Sequence, residues 1–162
     1  LIESFDFAAF GRAPARFDPA ELEALNAKTV HRLPFAAVRD RLPAGMGEAA
    51  WEAIRPNLAH VGEAADWWGV VEGPVAPAAL DAGDRAFVAE AVECAATLDW
   101  AGDPWHALAT DLKARTGRKG RALFRPLRLA LTGREHGPDM AALLPLIGRE
   151  RALSRLEAAS GG

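Results

Sequence analysis

Arg121, Arg125 and Arg128 recur at spacings of four and three inside the stretch KGRALFRPLRLALTGREHGP, residues 119–138. On a helix these three share one face, while Leu123, Leu127 and Ala130 share another and Leu131 extends the apolar side. Guanidinium groups are planar, permanently charged and donate in a fork that matches phosphates and base edges, so three on one face suit an anionic ligand. The plainer alternative is a surface helix whose arginines lay their stems along apolar neighbours and keep their heads in water. Pro126 speaks against it. A proline in a helix interior costs about 3 kcal/mol, deprives the carbonyl one turn back of its donor and bends the axis. A bend beside arginines can wrap a rounded anion. Just downstream, Pro138 and Asp139 open another helix, whose first backbone N–H groups can face a base or a phosphate.

The net charge of −3 conceals a split. Lys113 to Arg155 holds 11 Lys/Arg against 3 Asp/Glu, and the remainder holds 8 against 19. A basic block on an acidic body is the footprint expected of a polyanion binder, most often a nucleic-acid binder; a solvated helical face is the ordinary alternative.

Catalytic chemistry is thinly represented. GMGEAA at 45–50 matches G-x-G-x-x-A, but RDRLPA before it is no buried strand, so the glycines read as a helix start. His31, His60, His106 and His136 show no ligand spacing with one another or with Cys94, and no metal site is expected. Neither a G-x-S-x-G elbow nor a phosphate-binding G-x-x-x-x-G-K-[ST] loop occurs. The lone Cys94 excludes an internal disulfide and fits a reducing compartment. Trp51, Trp67, Trp68, Trp100 and Trp105 read mainly as core, although Trp67 and Trp68 are adjacent and cannot both face one side of a helix.

The elements that must position these residues are helices. Asp18, Pro19 and Glu21 form an N-terminal capping pattern ahead of Leu22 and Leu25. Trp51, Ile54 and Leu58 follow helical spacing until Pro56, which should end that helix near Arg55. EAADWWGVV is a short helix, and GPVAP at 73–77 is the strongest breaker. GDRAFVAEAVECAATLDW is a long amphipathic helix; Asp103 and Pro104 start the next one, and Gly117 stops it. The arginine-bearing helix ends at Gly133, GPDMAALLPLIG and RERALSRLEAA close the fold, and SGG frays. The architecture expected is all-α: two small stacked helical subdomains, 1–72 and 73–162, the second with a basic end. No apolar run is long enough to span a membrane. The chain starts at Leu1 with no signal-peptide pattern, and reads as a fragment or processed piece.

The closing stretch resembles a known family. KGRALFRPLRLALTGREHGPDMAALLPLIGRERALSRLEAA looks like the C-terminal end of bacterial glutamyl-tRNA synthetases. These show a Lys-Gly entry, Pro-Leu-Arg, Ala-Leu-Thr-Gly, a short Gly/Pro turn, Leu-Leu-Gly-[Lys/Arg]-Glu-Arg and a final Arg-Leu-Glu. FDPAELEALNAKTVH resembles the family's Phe-Asp-x-x-x-Leu-x-x-Leu-Asn segment, and IRPNL its Arg-Pro segment, so the likeness spans most of the chain and is weakest over 70–110. The resemblance implies an all-helical cage that binds the tRNA anticodon. Arg128 then contacts anticodon bases, Pro138 and Met140 cradle another base, and Arg125 lies in the same entry. Lys119, Arg121 and Arg55 would hold the tRNA backbone. Where family members strict for glutamate tRNA commonly carry an arginine after Arg-Pro, this chain has Asn57, which implies a non-discriminating or glutamine-tRNA-charging enzyme. Pro145 also departs from the family pattern, which has a helix former there.

The same likeness implies a parent that joins glutamate to tRNA with ATP and Mg2+, cytoplasmic and monomeric. The chain lacks that class's His-x-Gly-His and Lys-Met-Ser-Lys-Ser signatures, so it is expected to contribute recognition only, with no catalytic residue, metal or cofactor of its own. The rival readings from the residues alone are a helical protein-interaction module whose basic face meets an acidic partner, and a small helical enzyme.

Overall fold

A computed structural model describes residues 18–76 and 79–161 of the chain. Phe17, the opening of the first expected subdomain, Pro77 of the GPVAP breaker and the last residue of the tail lie outside the described residues. Among those described, every regular element is a helix: α1 Pro19–Val30, α2 Phe35–Val38, α3 Glu48–Ile54, α4 Ala64–Glu72, α5 Ala82–Thr97, α6 Pro104–Thr116, α7 Arg121–Thr132, α8 Met140–Ile147 and α9 Arg149–Ser160. No described helix is long and apolar enough to cross a membrane.

The local signals act where they stand in the sequence. Asp18, Asp103 and Asp139 are N-caps, accepting from the backbone N–H groups of Ala20, His106 and Ala141 at 2.9, 3.0 and 3.0 Å. Pro19 and Pro104 occupy the first turns of their helices, where a missing N–H is harmless. Gly117 and Gly133 end α6 and α7 in the left-handed conformation, with φ of 68° and 67°. At Gly133 a side chain is excluded by space as well, since a Cβ there would lie 2.8 Å from Val75 Cγ1. Pro56 does end α3: the helix stops at Ile54, and Arg55–Asn57 form one 3₁₀ turn.

One apolar core runs from Val30 to Ala159. The longest helix, α5, lies along α9 and also meets α6 and α7, while α3 and α4 pack on α8. Trp51 and Ile54 of α3 are fully buried, as are Leu143, Leu144 and Ile147 of α8. Cys94 is buried on α5, and burial pushes its thiol above the ordinary value. Trp67 is buried; its neighbour Trp68 is half-buried against the same core.

The basic block is not uniformly a surface. Arg155, on α9, is only 9% exposed. Its Nη1 donates to Leu131 O at 2.8 Å, and its Nη2 donates to Val70 O, Val71 O and Gly73 O at 2.7, 3.0 and 2.8 Å. These carbonyls end α7 and α4, where the helix leaves acceptors without intrahelical partners and the dipole is negative. Burial lowers the Arg155 pKa, and Arg151 adds to that, so the carbonyls are what holds the cation inside. Arg149 Nη2 similarly donates to Ala96 O at the end of α5, at 2.8 Å.

Replacing Arg155 by Met should therefore destabilise the chain by about 3 kcal/mol, because several buried carbonyls lose a charged donor. Lys should recover only part of the loss, having no planar fork to spread over two helix ends. Urea denaturation monitored by circular dichroism measures both, and an unchanged midpoint for Arg155→Met would refute the assignment.

Candidate nucleic-acid interface

Helix α7 runs unbroken through Pro126. Its apolar face is inside, with Leu123, Leu127, Ala130 and Leu131 all buried. Proline at 126 leaves the carbonyl of Ala122, one turn back, without its helical donor. Arg118 supplies a replacement, its Nη1 donating to Ala122 O at 3.2 Å. The same guanidinium pairs with Asp84 at 2.6 Å, donates to Gly83 O at 2.8 Å and lies 4.4 Å from the centroid of the Phe87 ring. Arg118 thus ties the entry of α7 to the start of α5.

The opposite face of α7 forms one wall of a recess of about 370 Å³, lined by Arg121, Phe124, Arg125, Arg128, Glu135 and His136. The other wall is the turn from Gly133 to Asp139. Two contacts with α4 fix that turn. The Arg134 guanidinium lies over the Trp67 ring, 4.4 Å from its centroid. Gly137, at φ 144°, passes so close to the ring that a Cβ would come within 2.0 Å of Trp67 Cη2. The Thr132 hydroxyl closes the helix end, donating to Arg128 O at 2.7 Å and accepting from the Arg134 N–H at 3.2 Å.

Within the recess the arginines differ. Arg128 Nη2 donates to Pro138 O at 3.0 Å, so two residues singled out separately in the sequence meet across the recess wall. Its Nη1 is buried and has no partner. Burial lowers the Arg128 pKa while Asp139 opposes the shift, and the guanidinium keeps its charge at neutral pH. Arg125 is paired: Nε and Nη2 both donate to Glu135 Oε1, at 3.0 and 2.6 Å. Arg121 and Lys119 are exposed. Met140 is 2% exposed, so its side chain belongs to the core and what it offers outward is backbone at the start of α8.

The two remaining sequence candidates sit apart from the recess lining. Asn57 is exposed on the 3₁₀ turn after α3, the helix that packs on α8. Arg55 is half-buried; its Nη1 donates to Leu33 O at 2.8 Å, and Nη2 pairs with Glu52 at 2.5 Å. Sequence reasoning passed over Phe124, Glu135 and His136. Phe124 was within reach, since it falls in the same three-and-four spacing as the arginines; it is 42% exposed, with its ring 5.7 Å from that of Trp105 on α6. Glu135 and His136 lie on a turn, where no periodicity points inward. Among the described residues, no group of three His, Cys, Asp or Glu is placed to hold a metal ion.

An open recess walled by guanidinium groups and one aromatic ring suits splayed bases and phosphates. The family model for the anticodon binding domain matches residues 57–160. The chain belongs to that family. The match takes in α4 to α9 and every residue of the recess. The glutamate–tRNA ligase 1 of Novosphingobium aromaticivorans is 63% identical over 158 residues, 98% of this chain and 36% of that protein. That of Rhizorhabdus wittichii is 65% identical over 99% of the chain and 36% of its own length. The chain therefore spans about a third of the curated relatives it matches. In three dimensions it resembles a glutamate–tRNA synthetase of Elizabethkingia anophelis, with a TM-score of 0.75 over 98% of this chain and 34% of that one; at 19% identity the likeness shows a shared fold. This anticodon-binding-family chain is thus an all-α domain.

The Arg125 pair gives this domain a measurable signature. Hydrogen bonding and charge from Arg125, joined by the charges of Arg121 and His136, hold the Glu135 carboxyl below its usual range against a weaker opposing effect of burial. A carboxyl depressed in the folded state contributes stability that is complete above its unfolded value, about 4.3, and fades as pH falls through the folded value. Carboxyl-carbon NMR should find Glu135 titrating below about 4.3, and moving back up to it in Arg125→Gln. An identical titration in both proteins would show that the pair does not persist in solution.

Proposed function

We propose that the recess receives anticodon bases of tRNA, as the recognition end of a glutamate–tRNA ligase that joins glutamate to tRNA. The observation that carries this reading is Arg128, fixed by Pro138 through one nitrogen while the other is buried without a partner. A buried donor left unsatisfied is unfavourable until an acceptor reaches it, and a base edge or phosphate supplies one. Arg125 lines the recess beside Arg128, the Pro138 carbonyl holds Arg128 in place and the backbone at Met140 follows on the same turn, and Lys119, Arg121 and Arg55 act on the tRNA backbone. The helices before and after residue 73 serve as the two subdomains of the cage. ATP and Mg2+ belong to the parent enzyme's reaction chemistry, and the part of this chain is to position tRNA. The parent works in the cytoplasm as a monomer.

Arg128→Ala in the full-length protein should cost about 1–3 kcal/mol of discrimination between the cognate anticodon and single-base variants of it. Filter binding across that tRNA set measures it. A uniform loss over unrelated RNAs would instead make Arg128 a phosphate contact.

Asn57 is the proposed specificity position. Asparagine is uncharged and both donates and accepts, so it does not impose the fixed pattern of donors an arginine brings. On this reading the parent enzyme accepts glutamine tRNA beside glutamate tRNA. Charging the two tRNAs in parallel should show both as substrates, with Asn57→Arg selectively depressing the glutamine one. A wild-type enzyme that charges glutamate tRNA alone would overturn it.

A further inference from the structure

The recess is lined by cations, yet one of them is already engaged. Arg125 directs both Nε and Nη2 at a single oxygen of Glu135. Among the described residues that line the recess, Glu135 is the one carboxylate. It stands on a turn seated on Trp67 of α4 through Arg134 and Gly137. Arg121 and His136 line the same recess.

We infer that Glu135 is a built-in competitor of RNA phosphate for Arg125, a specificity residue that holds the recess against loosely bound polyanions. The inference rests on the proposed RNA-binding reading of this site. An incoming phosphate must take the place of Glu135 Oε1 on the Arg125 fork. The displaced carboxylate stays nearby, since only its side chain can rotate away, and it repels the phosphate and attracts a cation from solution. The exchange cancels much of the electrostatic gain that a free arginine gives any polyanion. RNA that also satisfies Arg128 or stacks on Phe124 keeps those contacts, which Glu135 does not oppose. RNA that binds by phosphate alone has little left.

The test compares wild type, Glu135→Gln, Arg125→Gln and the double variant, all in the full-length protein, with glutamate tRNA and with a poly-uridine strand as a phosphate-only probe. Glutamine keeps the shape of the side chain and removes its charge. Binding should tighten about two- to five-fold in Glu135→Gln, as expected for releasing an exposed ion pair. The gain should be larger for poly-uridine than for tRNA, so the ratio between them narrows. The log–log salt slope should steepen by about 0.7, the increment for one more phosphate on a single strand. In the Arg125→Gln background the same substitution should change nothing. Thermal melts establish that each variant is folded, and both side chains lie at the surface of the recess.

Unchanged affinity and slope in Glu135→Gln, with Arg128→Ala still weakening tRNA binding, would overturn the competitor and leave the RNA-binding reading standing. A gain that persists without Arg125 would also overturn it, since general charge then explains the effect. If neither Arg128→Ala nor Glu135→Gln alters tRNA binding, both readings fall together.

Discussion

The guanidinium of Arg155 joins the ends of two helices that are far apart in the chain. It satisfies carbonyls of Val70, Val71 and Gly73 at the end of α4 and of Leu131 near the end of α7. No carboxylate is among these partners. The cation is held by helix C-termini, where unpaired carbonyls and the dipole concentrate negative potential. That junction matters to the recess because it fixes the end of α7, from which the 133–139 turn departs, to the end of α4. Helix α7 carries the arginines, and α4 carries Trp67, on which the 133–139 turn is seated. If Arg155 let go, the helix and the turn would lose their common reference.

Proline placement sets a second constraint. Pro126 removes a backbone donor from the middle of α7, and Arg118 restores one to the Ala122 carbonyl while anchoring itself on Asp84 and Gly83. The cost of an interior proline is thereby reduced at the point where α7 meets α5. Arg118, Arg149 and Arg155 spend their donors on backbone carbonyls or on an internal aspartate. Lys113, Lys119 and Arg121 are exposed, and Arg125 and Arg128 line the recess. A charge count over the whole block overstates the cationic surface because it adds both kinds together.

The recess also shows how one small site separates affinity from selectivity. Its guanidinium groups attract any polyanion, and attraction alone does not read a sequence. Reading requires groups with fixed direction. Arg128 has it through Pro138, and Phe124 through its contact with Trp105. Arg125, tied to Glu135, is the group whose attraction is moderated.

By itself the sequence determined most of the helices and several of their limits, because those signals act within one turn: aspartate caps at 18, 103 and 139, prolines at first positions, left-handed glycines at 117 and 133, and the apolar face of α7; the short α2 carried no such signal. It also placed Arg121, Arg125 and Arg128 on one face and carried enough of a motif to point to the family the comparisons bear out. What it left undecided was which arginines turn inward. Arg155 finds its partners 24 to 85 positions away and Arg118 finds Asp84 at 34, and no local spacing encodes such distances. Only the packing of α4, α7 and α9 puts those carbonyls within reach of one guanidinium. Only the seat of Gly137 on Trp67 brings Glu135 to Arg125.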